Sequence, residues 1–67
     1  MAQKDLKAIR RRVAQLEKAK AALRDAIHRA NLAGESVGDI VPWSGMSRTS
    51  VQRLLEEARK LEREREP

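Results

Sequence analysis

The chain of 67 residues contains no cysteine, one histidine and a single aromatic residue, Trp43, while 37% of its residues are charged. A domain this small buries only roughly 60% of its unfolded surface, so its stability is marginal unless another factor adds to it. Disulfides are excluded, and a zinc site needs more ligands than one histidine supplies. We therefore expect an all-helical protein that enlarges its core by pairing with a second copy, and that binds no metal or other cofactor.

The net charge is +5 and the calculated pI is about 10.5, values typical of proteins that bind polyanions. The positive charge is concentrated in residues 1–33, which hold nine Lys or Arg against three Asp or Glu. This distribution favours nucleic acid as the partner, although small basic domains also include protein binders. Because the N-terminus is charged and no segment is apolar enough for a signal peptide or a membrane span, we expect a cytoplasmic protein with no membrane partner.

Residues 3–32 lack Gly and Pro and are rich in Ala, Leu, Lys, Arg and Gln, a composition that favours one long helix. The apolar residues recur three and four positions apart, as in a heptad repeat with apolar a and d positions. This pattern predicts a coiled-coil seam between two chains, although the same stripe could instead pack on the rest of its own chain. The predicted dimerisation residues are Leu6, Ile9, Val13, Leu16, Lys20, Leu23 and Ile27, followed by Ala30 at the next d position.

Charges beside the seam leave the orientation of the pair open. In a parallel pair Asp5 would face the partner's Arg10, and Arg12 would face the partner's Glu17, which gives two favourable contacts. An antiparallel pair would instead place the arginines at 10–12 near the partner's second half, where they could contact DNA. The sequence supports both arrangements.

A short second helix is predicted after a break at Gly34. Ser36 has the position of an N-cap and Asp39 lies in the first turn, which indicates a helix from residue 37 to about residue 44. Pro42 falls inside this segment and lacks a backbone N–H, so we expect the helix to be short or kinked there.

A third helix follows the turn at Gly45. Met46 supplies an apolar contact after the turn, and Ser47 is expected to cap the new helix. The residues of its apolar face are Val51, Leu54, Leu55, Ala58 and Leu61. Beyond Leu61 the sequence is charged on all sides, so residues 62–67 are expected to fray into solvent.

The stretch GMSRTSVQRLL, residues 45–55, resembles the form G-V-S-R-x-T-V-x-R-x-L of helix-turn-helix proteins among bacterial regulators and resolvase-type recombinases. The similarity extends over about residues 22–58, with Gly45 at the turn position and Met46 after it. The sequence departs from the family pattern at Val41, where alanine is usual, and at the proline that follows. The resemblance implies a helix-turn-helix because a glycine at the turn lets two helices cross at a sharp angle.

This resemblance divides the chain into a dimerisation helix over residues 1–33, whose end also serves as the first helix of the next unit, a helix-turn-helix over residues 34–61 and a charged tail over residues 62–67. It also implies which residues contact DNA, since the start of the third helix would enter the major groove. The base-facing residues would be Ser47, Arg48, Thr49, Gln52 and Arg53. The contacts to the DNA backbone would come from Ser36, Arg24, Arg29 and Lys60.

We therefore expect a homodimer that binds double-stranded DNA sequence-selectively. A helix-turn-helix on a short dimerising helix resembles the small actinobacterial nucleoid-associated proteins of the GATC-binding nucleoid protein type. That family implies many chromosomal sites, a location on the bacterial nucleoid, and an architectural role with effects on transcription. No effector domain is predicted, so no small-molecule ligand is expected. The scattered carboxylates and single histidine form no catalytic constellation, which argues against an enzyme.

Two other functions fit the same sequence. The first is a dedicated transcriptional repressor with few operators, of plasmid, phage or chromosomal origin. The second is a coiled-coil protein-interaction module with no nucleic-acid role. RNA binding is less favoured because stacking on unpaired bases uses aromatic side chains, which are nearly absent. Trp43 is expected to cover the dimer seam or the start of the third helix, and His28 is expected on the outer face of the first helix.

Overall fold

A computed structural model describes residues 3–65 of the chain. These residues form three helices, α1 (Gln3–Leu32), α2 (Val37–Ser44) and α3 (Arg48–Arg65), and contain no strand. The all-helical class and the long N-terminal helix are therefore confirmed. No helix within residues 3–65 is both long and apolar enough to cross a membrane.

The helix α1 is much longer than the part of it that packs. Its 30 residues extend for about 45 Å, and the longest dimension of the molecule is 49 Å. Residues 3–20 are all exposed, and burial begins only at Ala21. The C-terminal third of α1 packs on α2 and α3, so its N-terminal half projects beyond the packed unit.

The helix α2 begins with a capping box. The backbone N–H of Asp39 donates to the hydroxyl of Ser36 at 3.2 Å, and the backbone N–H of Ser36 donates to the carboxylate of Asp39 at 3.1 Å. These two bonds satisfy donors that the first turn of a helix leaves without partners. The second helix thus starts at the residue that the sequence predicts.

Pro42 lies inside α2 without ending it, because the helix continues to Ser44. Proline at this position loses one hydrogen bond, the one that an N–H would have donated to the carbonyl of Gly38. The helix then stops at Gly45, which adopts a left-handed conformation with φ 68° and donates its N–H to the carbonyl of Val41 at 3.2 Å. Glycine suits this position because a Cβ is disfavoured at positive φ.

The helix α3 is capped by Ser47, whose hydroxyl accepts from the N–H of Ser50 at 3.1 Å. It continues to Arg65, four residues past Leu61, where the sequence predicts fraying. One reason is a contact with α1, since the carboxylate of Glu62 lies 3.5 Å from Nε2 of His28. The last two residues of the predicted tail lie outside the described residues.

The core brings one face of each helix together. Its buried residues are Ile27 of α1, Ile40 of α2, and Val51, Leu55 and Ala58 of α3. Partly buried side chains pack around them: Ala30, Val37, Val41, Met46 and Leu54. Ile27 is 5% exposed, so this predicted seam residue is covered by its own chain rather than left free for a second copy. Ala30, at the next predicted d position, is also partly buried against this core, whereas the predicted seam residues from Leu6 to Leu23 remain exposed.

Candidate nucleic-acid interface

The start of α3 presents a polar face to solvent. Arg48, Thr49, Gln52 and Arg53 are exposed. Thr49 and Arg53 lie on the side of the helix opposite the buried Val51, and Gln52 lies at the edge of that side. Arg48, which shares a side with Val51, is exposed in the first turn of the helix. This face begins at Arg48, three residues after Gly45. The left-handed conformation of Gly45, which ends α2, therefore also sets the direction in which the start of α3 projects.

The two arginines of this face have no acidic partner. Within residues 3–65 neither Arg48 nor Arg53 forms an ion pair. The guanidinium of Arg48 extends toward the first turn of α2, where Nη2 would lie 3.4 Å from a Cβ added at Gly38. An arginine without a carboxylate partner keeps all its donors available for a carboxylate, a phosphate or a base edge. The positive charge of this face is therefore not neutralised within the described part of the chain.

Arg24, one of the predicted contacts to the DNA backbone, is used within the protein. Its side chain is only 15% exposed and lies 3.2 Å from the carboxylate of Asp25 and 3.6 Å from that of Glu57 on α3. This pair links α1 to α3. Arg24 is therefore a structural contact between helices, and a phosphate would have to compete with two carboxylates for it.

Ser36, a second predicted backbone contact, is occupied by the capping box. Its hydroxyl donates to the carboxylate of Asp39 at 2.8 Å while accepting from the backbone N–H of that residue. The hydrogen bonds from the Ser36 side chain and backbone lower the pKa of Asp39. The N-terminus of α2 thus already holds a negative charge, which opposes a phosphate at the same place. Arg29 and Lys60, the other predicted backbone contacts, are exposed.

Two contacts between α1 and α3, one at Asn31 and one at His28, were not predicted from the sequence. Nη2 of Arg59 donates to the amide oxygen of Asn31 at 3.0 Å, and the amide nitrogen of Asn31 donates to the carbonyl of Glu35 at 2.9 Å. His28 was expected on the outer face of α1, but its side chain is 14% exposed and faces Glu62. The expectation was wrong because α2 and α3 cover α1 from two directions, which a single apolar stripe does not indicate.

Large apolar side chains are exposed along the N-terminal half of α1 and at Trp43 in α2. Leu6, Ile9, Val13 and Leu16 are each about half exposed, at 50–55%, and Trp43 is 92% exposed. Trp43 therefore does not cover the start of α3 in its own chain. A shallow groove between α1 and α2 lies beside it, and its apolar lining includes Leu23, Ala26, Ile27 and Ala30.

Residues 3–65 contain no group of three or more His, Cys, Asp or Glu side chains arranged to hold a metal ion. Comparisons with protein-family models, with curated proteins and with solved structures find no match to this chain. The interpretation of the face at the start of α3 therefore depends on the chemistry of its own residues.

Proposed function

We propose that the chain binds double-stranded DNA as a homodimer, with the start of α3 in the major groove. The observation that carries this proposal is the pair of arginines, Arg48 and Arg53, exposed without an acidic partner in the first two turns of a helix that the core holds in place. Elsewhere in the described chain, Arg24 and Arg59 are held by side chains of the protein itself. Other arginines within residues 3–65 likewise form no ion pair, among them Arg10, Arg29 and Arg63. What distinguishes Arg48 and Arg53 is that both lie in the first two turns of α3, directly after the turn at Gly45, and this position favours a negatively charged ligand reached by the start of a helix.

The side chains of this face suit the edges of base pairs. Arginine donates two parallel hydrogen bonds to guanine, glutamine forms a pair of bonds with adenine, and the methyl group of threonine packs on the methyl group of thymine. Arg48, Arg53, Gln52 and Thr49 supply these groups within two turns of helix. Ser47 would contact the duplex only through a hydroxyl that already caps α3. Arg29 and Lys60 are the exposed candidates for phosphate contacts.

The homodimer follows from the stripe on α1. One chain leaves Leu6, Ile9, Val13 and Leu16 half exposed in a single row, and a contiguous apolar surface of this kind marks an interaction site. Pairing through this row would cover it and present two α3 helices to one duplex. Because a single helix reads only a few base pairs, the second copy extends the site that is recognised.

Within this proposal, the chain is a nucleoid-associated protein of the helix-turn-helix class, located on the bacterial nucleoid and affecting transcription through many sites. What supports this choice over a ligand-regulated repressor is the small size of the described unit, in which α1 and the packed helices leave no separate ligand-binding domain among residues 3–65. A genome-wide binding map tests it directly. A short recurrent motif at many sites is expected, whereas a handful of bound operators would show a dedicated repressor.

The groove contacts are tested by duplex binding of Arg48→Ala and Arg53→Ala. Arg63→Ala is the matched control, because Arg63 is also an exposed arginine on α3 and removes the same charge ten residues further along the helix. Loss of one base contact per protomer costs about 1–3 kcal/mol, so a dimer that loses two should weaken by at least about 2 kcal/mol, or roughly 30-fold in Kd. The control should change Kd by no more than a few-fold.

A salt series separates DNA binding from a role in protein interaction. Phosphate contacts release counterions, so affinity for the duplex should fall steeply between about 50 and about 200 mM salt. If the duplex does not bind at low salt, or if both arginine variants bind like the control, the face at the start of α3 is not a DNA-binding face. A protein that binds no duplex but captures other helices through α1 would be an interaction module.

A further inference from the structure

We infer that two copies pair through α1 in antiparallel orientation, in the register that places Leu6 of one protomer against the partner's Leu23. In this register Val13 lies opposite the partner's Leu16, and Ile9 lies opposite the partner's Lys20. The inference rests on the homodimer of the proposed function but not on its binding to DNA. Four observations on the single chain lead to it.

The first observation is where α2 and α3 pack along α1. Ile27 and Ala30 continue the same a and d stripe as Leu6 and Val13, yet Ile27 is 5% exposed and Ala30 packs on the core of its own chain. In a parallel pair, each seam residue faces its own counterpart, so both α2–α3 units would occupy the space between the two helices. In an antiparallel pair the units lie at opposite ends, and the seam is free over the exposed part of each helix.

The second observation is the charge inside the seam. Lys20 is the one charged residue at an a position, and its side chain is 62% exposed. A parallel pair would bring Lys20 against the partner's Lys20, two like charges at the centre of an apolar layer. The antiparallel register places Lys20 against the partner's Ile9 instead. The aliphatic part of the lysine can then pack on an apolar side chain while its ammonium group stays in water.

The third observation is the charge beside the seam. In an antiparallel coiled coil the e positions of one helix face the e positions of the other. Arg10 and Glu17 are both e positions, so the proposed register places Arg10 opposite the partner's Glu17, and symmetry repeats this pair. Moving the register by one heptad toward the N-terminus would place Arg10 against the partner's Arg10, and Arg12 against the partner's Arg12. Opposite charges therefore select one register.

The fourth observation is the apolar groove beside Trp43. Leu23 lines this groove and is 41% exposed, and Trp43 at its edge is 92% exposed. The exposed row on α1 therefore leads directly into the groove at Leu23. In the proposed register the partner's Leu6 reaches this point and its side chain covers apolar surface that one chain leaves open.

The register also fixes the distance between the two α2–α3 units. With Leu6 opposite the partner's Leu23, the two copies of Ile27 lie about 38 Å apart along the helix axis, at a rise of about 1.5 Å per residue. Successive major grooves on one side of a duplex are about 34–36 Å apart. Measured at Ile27, an antiparallel pair thus spaces the two packed units by close to one turn of DNA.

Spin labels on the outer side of α1 test the orientation. Since the chain has no cysteine, Lys4→Cys and Lys18→Cys each introduce one thiol. Both positions are exposed, and they lie two full heptads apart on the same side of the helix. In the proposed register the axial separation between the two labels of a dimer is about 32 Å at position 4 and about 10 Å at position 18. The label-to-label distance should therefore be clearly longer at position 4. Equal distances at the two positions would overturn the inference.

A charge exchange provides a second test that leaves the apolar seam unchanged. Arg10→Glu turns two attractive pairs into repulsive ones and should raise the Kd of the dimer about tenfold, as measured by sedimentation. Adding Glu17→Arg restores both pairs in the antiparallel register, so the double variant should dimerise like the original chain. In a parallel pair of the double variant, Asp5 would face the glutamate introduced at position 10 of the partner, and Arg12 would face the arginine introduced at position 17. Both contacts are repulsive, so the dimer of the double variant would be weaker than that of the single variant.

The outcomes separate this inference from the proposed function. Equal label distances, or a double variant weaker than Arg10→Glu, reject the antiparallel register while the duplex-binding experiments still decide DNA binding. A chain that stays monomeric at all concentrations rejects the register and the homodimer together, and duplex binding is again measured independently.

Discussion

Replacing Leu55 by alanine tests whether the small core described above holds α3 in place. Leu55 is 2% exposed and lies among buried residues contributed by all three helices, including Ile27 and Ile40. A buried Leu→Ala substitution removes apolar contacts and leaves a cavity, at a cost of about 3 kcal/mol. A chain of this length has a free energy of unfolding of roughly 3–10 kcal/mol. The substitution should therefore remove between a third and all of the stability.

The free energy of unfolding is measured by urea denaturation followed by far-UV circular dichroism. All variants are compared at one protein concentration, because the stability of a dimer depends on concentration. Leu32→Ala is the matched control, since Leu32 is 68% exposed and the same atoms are removed from a surface position of α1. The control should stay within about 0.5 kcal/mol of the original chain. If Leu55→Ala is equally mild, α3 is not held by this core, and the direction of its exposed face is not fixed either.

Two further substitutions test the ends of α2. Ser36→Ala breaks the capping box and should lower the free energy of unfolding by about 1 kcal/mol. If the urea denaturation curve of this variant equals that of the original chain, the box contributes nothing to stability. Because the pKa of Asp39 is lowered in the folded chain, the stabilisation from its carboxylate is complete above the ordinary value of 3.8 and is lost as the pH falls through the lower folded value. Ser36→Ala should reduce this dependence without abolishing it, since the backbone N–H of residue 36 still donates to the carboxylate. Gly45→Ala places a Cβ at φ 68° and should lower the free energy of unfolding by about 1 kcal/mol in the same assay. The cost comes from the backbone conformation, since nothing lies within 4 Å of the added atom. An unchanged free energy of unfolding would show that the turn relaxes.

The helix boundaries could be predicted because they depend on neighbouring residues. Ser36 and Ser47 cap the helices that follow them, and Gly45 ends α2 with a positive φ. Each of these interactions lies within a few residues of sequence. The exposure of Thr49 and Arg53 was predicted for the same reason, since the buried Val51 and Leu55 define the opposite side of one regular helix.

The contacts between helices could not be predicted in the same way. The apolar period on α1 is the same before and after Leu23, so it does not indicate that Ile27 is covered by the chain itself. Arg24 and His28 lie beside that stripe and were interpreted as outward-facing, yet each is directed at a carboxylate of α3. Their positions depend on how α3 crosses α1, which is set by residues about thirty positions away.

The apolar stripe on α1 changes from exposed to buried near Leu23. C-terminal to Leu23 the stripe on α1 is buried by α2 and α3, while N-terminal to it the stripe is exposed and available to a second copy. One continuous helix, Gln3–Leu32, therefore carries both the exposed apolar row and the part of α1 that packs on the unit with Arg48 and Arg53. In the proposed dimer, the register of the seam would set the distance and orientation between the two α3 helices. If that dimer binds DNA as proposed, the residues of α1 would determine the spacing of the half-sites, and the residues of α3 would determine the bases within each half-site.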